Sequence, residues 1–336
     1  MQMLTKRKIV PFVFCSLLCA CGGGGAASSD DGVSTDVATS VVSGSLNNST
    51  GTNLGYLLPK ERPSMFARIL DELSPIRNAW AASWMCSGDS LSPTFAGPGS
   101  YAFTPVSCQV TWLNGKSASS KWSGTFNLNY GSSCDSTHAL MENQAGGCTL
   151  TRTTASGGDT RTITGPDGST YAITHDTNGA GSGWDSTVAP APANGGVVRT
   201  CDASGCSAGS TLVVNGSHIT GTVTIAGGQP TQIWNHTVNT SASGLTITGS
   251  GTSRSVSGTV TVQHNILMYD ATATFNAVTY SNANCCFPTG GSVTTSFHSG
   301  SNSGKTESLA FTAICGEATL TTASGKTEAY TLQHCL

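Results

Sequence analysis

Charge is scarce in this chain. Asp, Glu, Lys and Arg make up 10% of its 336 residues, and aromatic side chains 7%. Between Arg199 and Lys305 the only charged residues are Asp202, Arg254 and Asp270. No stripe of clustered Lys and Arg exists to displace counterions from phosphates, which excludes nucleic acid as a partner. Nor does any apolar run reach the roughly 20 residues that a membrane-spanning helix needs. The histidines (His138, His175, His218, His236, His264, His298 and His334) are scattered, with no His-Glu-x-x-His pair of a metalloprotease helix. Helical periodicity is absent beyond residue 85, which argues against βαβ units.

What the chain has in quantity is Gly, 41 residues of it, together with Ser, Thr and short alternating runs. From Tyr101 onward the apolar period is two. Cys108, Val110 and Trp112 share one face, and Trp122, Phe126, Leu128 and Tyr130 another. Asn114-Gly115 between these runs is a strong hairpin signal, and Pro166-Asp167-Gly168 marks a second turn. Farther on, Ile219, Gly221, Val223 and Ile225 form one apolar face. Val256, Gly258, Val260, Val262 and Ile266 form the next. Ala271, Ala273 and Phe275 follow a turn expected near Tyr269-Asp270, and the slip of parity at Ala277-Val278 suits a bulge. The expected fold class is all-β: an antiparallel meander forming a sandwich or partly closed barrel, with one short N-terminal helical segment.

At the other end of the chain, Lys6-Arg7-Lys8 precede an apolar run from Ile9 to Leu18, and then Leu18-Cys19-Ala20-Cys21 leads into Gly22 to Gly25. A basic start, a short apolar core and a small residue before the cut are the anatomy of an export signal. The stretch resembles a bacterial lipoprotein signal peptide with its lipobox. That resemblance implies removal of residues 1–20 and lipidation of Cys21, palmitate included, which anchors the protein in a membrane. Gly22 stands where Asp would favour inner-membrane retention, so the resemblance points to the outer membrane, with the body periplasmic or surface-exposed. Without Lys6, Arg7 and Lys8 the 15 basic residues fall to 12 against 18 acids, a formal charge of −6.

Composition then divides the mature chain. Residues 21–62 are Gly-, Ala-, Ser- and Thr-rich and read as a flexible tether with a reach on the order of 35 Å. Over residues 63–85, Phe66, Ile69, Leu70, Leu73, Ile76, Trp80 and Trp84 recur at helical spacing, with a break expected at Ser74-Pro75. Residues 86–336 form the β body, with a bend at 189–196.

Of 13 cysteines, Cys15, Cys19 and Cys21 belong to the signal and the lipid site. The remaining even set reads as disulfides in an exported chain. Sequence locality suggests Cys86 with Cys108, Cys134 with Cys148, Cys201 with Cys206, and Cys285 and Cys286 with Cys315 and Cys335. The body also loosely resembles Thr- and Ser-rich bacterial lipoproteins with Cys-Cys-x-Pro (here Cys285-Cys286-Phe287-Pro288) and a terminal Cys. That resemblance implies no activity.

No catalytic constellation stands out. Gly205-Cys206-Ser207-Ala208-Gly209 matches G-x-S-x-G, but a β run follows it where a nucleophile elbow needs a helix. No metal is expected, except for calcium on the oxygen-rich loop Asp176 to Asp185. The first expectation is therefore a non-enzymatic outer-membrane lipoprotein serving envelope structure, adhesion or ligand binding. Its partners would be the membrane, through Cys21, and a glycan or envelope protein, with Trp184 and Trp234 as aromatic contacts. The alternative is an exported hydrolase acting on envelope polymers or glycans, which calls for paired acids or a Ser-His contact in a pocket.

Overall fold

A computed structural model describes residues 32–47, 85–87, 99–103, 107–111, 117–123, 126–135, 143–154, 157–165, 167–177, 196–250, 253–281 and 287–332. They contain one helix and nineteen strands, all within the unit Asp31–Leu336. Helix α1 (Val33–Asn47) comes first. Strands β1 (Met85–Ser87), β2 (Gly99–Phe103), β3 (Ser107–Thr111), β4 (Ser117–Ser123), β5 (Phe126–Tyr130), β6 (Thr149–Thr154), β7 (Asp159–Thr164) and β8 (Thr170–Asp176) follow. Next are β9 (Gly196–Cys201), β10 (Gly209–Asn215), β11 (Ser217–Thr224), β12 (Thr231–Thr240) and β13 (Leu245–Ser250). The chain continues through β14 (Ser253–His264), β15 (Tyr269–Tyr280), β16 (Gly290–Phe297), β17 (Thr306–Phe311), β18 (Glu317–Thr321) and β19 (Thr327–Thr331).

Every pairing is antiparallel, and the sheet is not closed into a barrel. It forks at β14. The first half of that strand pairs with β13 and the second half with β12, while β15 runs along its other edge. One arm continues from β12 through β11, β8, β7, β4 and β3 to β1. The other continues from β13 through β10, β9, β6 and β5 to β2. The inward side chains of both arms meet in one core that includes Tyr171, Ile173, Val197, Leu212, Ile219 and Ile247. At the fork, Gly258 has φ +131°, and a Cβ there would lie 2.9 Å from Leu245 Cδ2. Only Gly allows that approach without strain, so the split depends on it.

Strands β14 to β19 form a simple meander that curves around α1. Residues Ser34 to Ser43 of the helix are buried on every face. This corrects the expected tether over 21–62, because 33–47 is a helix, buried from Ser34 to Ser43. The sole helix among the described residues is therefore not the one expected over 63–85. That segment lies outside the described residues except for Met85, which begins β1. The helix is weak on its own merits: its Val, Thr, Ser and Gly residues are poor helix formers in isolation. Burial of Val37, Val41 and Val42, about 2 kcal/mol for each fully buried side chain, and the polar bonds described below hold it instead.

The strands that flank the expected hairpin turns pair with each other. Strands β3 and β4 pair on either side of Asn114-Gly115, and β7 and β8 pair around Pro166-Asp167-Gly168. Asp167 accepts from Ser169 N and Oγ at 2.9 and 2.8 Å, which fixes the second turn. The bulge at Ala277-Val278 is real: the register shifts between Asn276 and Thr279, and Ala277 has φ 47°. One turn differs from expectation. The β14–β15 reversal falls at residues 265–268, so Ile266 leaves the strand face and is exposed.

Candidate functional site

The polar groups of the molecule converge on the two ends of α1 and on the seam between the arms. At the helix start, Gly32 is the N-cap: its carbonyl accepts from Asp36 N at 2.8 Å. Gly32 N donates to Glu307 Oε2 at 3.0 Å, and Thr35 Oγ1 donates to Glu307 Oε1 at 2.5 Å. Thr35 Oγ1 also meets Thr295 Oγ1 at 2.6 Å. Glu307 thus does from β17 what a capping-box carboxylate does from within a helix, and it places a negative charge at the positive helix end.

Beside it, Ser34 Oγ lies 2.7 Å from Tyr269 OH and 3.2 Å from His236 Nε2. His236 and His264 are adjacent on paired strands, with ring centroids 4.3 Å apart. His264 Nδ1 accepts from Ile266 N and Leu267 N at 3.3 and 3.1 Å, so its neutral form carries the proton on Nε2. Toward the helix end, Ser43 Oγ meets Tyr280 OH at 2.7 Å. Burial pushes the Tyr280 hydroxyl up to about 12, against the lowering effects of Ser43 and of Arg254 nearby. The Arg254 guanidinium carbon sits 5.9 Å from the centre of the Tyr280 ring.

The seam between the arms carries a third group. Arg152 Nη1 donates to His175 Nδ1 at 2.6 Å, and His175 Nε2 lies 2.6 Å from Ser217 Oγ. Burial, then the Arg152 charge, then His218 hold the imidazole well below its usual pKa. Because Arg152 can only donate, the neutral ring must carry its proton on Nε2 and give it to Ser217.

Two Ser-His contacts are therefore present among the described residues, and neither is arranged as a nucleophile and base. At Ser217 the imidazole is already a donor, with a cation where a catalytic pair would have an orienting carboxylate. At Ser34 the hydroxyl is buried between Tyr269 and His236 inside the sheet, with no surface for a substrate. These groups can hold α1 and clamp the arms.

On the outside of the sheet a different pattern emerges. Thr259, Thr274, Thr294, Ser308, Thr321 and Thr327 are successive cross-strand partners from β14 to β19. They form a row of hydroxyls spaced by the strand separation, about 4.8 Å. A shorter row of Thr261, Thr272, Ser296 and Thr306 runs beside it. The alternation in each strand was visible in the sequence; the register that aligns the rows was not.

Most of the residues singled out in the sequence do not gather at these sites. Cys21, His138, Trp184, Cys285, Cys286, His334 and Cys335 lie outside the described residues. Cys134 bonds Cys148 and Cys201 bonds Cys206. Cys86 stands directly opposite Cys108 in register, and Cys315 is in a disulfide. Trp234 is in β12 opposite Gly221. His218 bonds Asn235, and His298 bonds Thr272, both at 2.7 Å. Asp176 Oδ1 accepts from Thr154 Oγ1 at 3.0 Å, and residues 178–185 of that loop lie outside the described residues. Ser207 is exposed on the turn closed by the Cys201–Cys206 bridge, and β10 follows it.

Among the described residues no group of three or more His, Cys, Asp or Glu side chains is placed to hold a metal ion. No helix there is long and apolar enough to cross a membrane. No protein-family model matches the chain, and no curated protein or solved structure is significantly similar to it.

Proposed function

We propose that this protein is a lipid-anchored, non-catalytic protein of the outer membrane, whose β body presents a hydroxyl-rich face to a polar partner such as a glycan or an envelope protein. The observation that carries this reading is the fixed position of α1. Only residues 22–31 separate the candidate lipid site Cys21 from Gly32, which Glu307 ties to the sheet. A lipid on Cys21 would hold the body close to its membrane. The inward polar groups are committed to α1 and to the arms, whereas the Thr and Ser rows face outward.

The test is made in cells producing the full chain. Radiolabelled palmitate should enter the protein, and the label should disappear in Cys21→Ala together with co-fractionation with outer membranes. External protease on intact cells then assigns the exposed side. An unlabelled protein that still fractionates with membrane would refute the lipid anchor. Replacing Thr274 and Thr294 with Val should weaken any glycan retention, and unchanged retention would remove the hydroxyl rows from the binding face.

A further inference from the structure

The turn between β14 and β15 is apolar at its tip. Ile266, Leu267 and Met268 are 42%, 48% and 63% exposed. Turn chemistry favours Asn, Asp or Gly at such positions, and Met268 holds φ 54°, where Met is strained. The tip is nevertheless firmly built. Met268 N bonds His264 O at 2.8 Å, and His264 Nδ1 accepts from Ile266 N and Leu267 N. Tied down by these bonds, the backbone leaves its three apolar side chains facing outward.

The position of this tip is the second observation. Tyr269, the next residue, bonds Ser34 in the first turn of α1, whereas Ser43 bonds Tyr280 at the far end of β15. Helix α1 and β15 thus run in the same direction, and Gly32, at the start of α1, lies at the end that carries Ile266 to Met268. From Cys21 to Gly32 the backbone can span at most about 40 Å. Other turns at this end are residues 298–305 and 322–326, with Lys305 and Lys326, and residues 225–230 and 165–169, the last with Asp167. Lys305 reaches Asn302, and Lys326 pairs with Glu328 from β19.

We infer that the Ile266-Leu267-Met268 tip inserts into the membrane that anchors the chain, a second attachment point beside the lipid on Cys21. The inference rests on the lipid-anchor reading above. Acyl chains and an apolar tip at the same end would fix the orientation of the body. Strands β14 to β19 would then stand along the membrane normal, with the hydroxyl rows parallel to the membrane surface, instead of tumbling freely.

The experiment separates the two readings. The chain from Gly22 onward, which contains the whole Asp31–Leu336 unit, is floated with vesicles of phosphatidylethanolamine and phosphatidylglycerol. It should partition onto them without any lipid of its own. The triple variant Ile266→Ser, Leu267→Ser, Met268→Ser should lower that partitioning by about tenfold, since three apolar side chains no longer leave water. Ile314→Ser, at an exposed turn on the opposite end, should change nothing. Equal flotation of the triple variant, or none by the unsubstituted chain, would overturn the inference. Palmitate at Cys21 with no flotation leaves the anchor standing and removes the tip. Flotation through the tip with no label at Cys21 keeps the lipid-binding tip and removes the anchor.

Discussion

Arg152 and His175 meet across the seam between the two arms of the sheet, with Nη1 and Nδ1 2.6 Å apart. Burial keeps the imidazole neutral, and the guanidinium facing it reinforces the effect. In the unfolded chain the same ring titrates near its ordinary value of about 6.5. Below that pH the unfolded state therefore binds a proton that the folded state refuses. The stability contributed by a neutral His175 is complete above about pH 6.5 and declines as pH falls toward the depressed folded value. The slope for one proton is at most about 1.4 kcal/mol per pH unit. Urea unfolding midpoints should fall between about pH 7 and about pH 5. In His175→Gln, a neutral side chain that can still accept from Arg152 and donate to Ser217, this decline should flatten. Equal slopes in the two proteins would assign the pH dependence elsewhere.

Glu307 is the residue on which α1 depends most directly. Its two oxygens accept from Gly32 N and Thr35 Oγ1, so Glu307→Gln turns one acceptor into a donor facing a donor and removes the charge at the helix start. The expected loss is about 2 kcal/mol in urea unfolding. Amides of Val37 to Ser43 should exchange faster with deuterium in this variant, while those of β9 and β10 stay protected. Unchanged exchange in the helix would show that the valines alone hold it.

The two described bridges should differ in their effect. Cys134 and Cys148 are separated by 14 positions, Cys201 and Cys206 by 5. By loop-closure entropy, removing the first as a pair of Ala substitutions should cost about 3 kcal/mol and the second about 2. Chemical denaturation of the two double variants measures the order. A reversed order would mean that packing around the sulfurs matters more than the size of the loop.

Strand periodicity was legible because it is written in every second residue: Ala271, Ala273 and Phe275 are buried as their alternation demands. The bulge at Ala277 could be read from the same parity. Helix α1 was hidden by its composition. Val33, Val37 and Val41 recur at a helical spacing, but they sit among Ser, Thr and Gly residues that in isolation prefer other conformations. The partner that makes the helix possible, Glu307, is 275 positions away. The His clusters were illegible for the same reason. His236 and His264 become neighbours only through the β12–β14 register, and His175 meets Arg152 only because the sheet forks. Local bridges such as Cys201–Cys206 needed no such information.

That fork supplies the sharpest test of the architecture. Gly258 lies where β14 passes from β13 to β12 as a partner, and the register against β15 shifts between Val256 and Gly258. In Gly258→Ala the new methyl carbon would sit 2.9 Å from Leu245 Cδ2 and 3.3 Å from Leu245 Cα, at φ +131°. The leucine side chain can rotate away, but its backbone can move only with β13, and the positive φ adds strain of about 1–3 kcal/mol. The combined cost should be about 3 kcal/mol or more, against less than about 0.5 kcal/mol for an exposed control such as Ser207→Ala. Leu245→Ala in the same chain should recover part of the loss by clearing the methyl contact, although it opens a cavity of its own. Purely additive losses in that double variant would mean that Gly258 is required for its backbone angle and not for the close approach of β13.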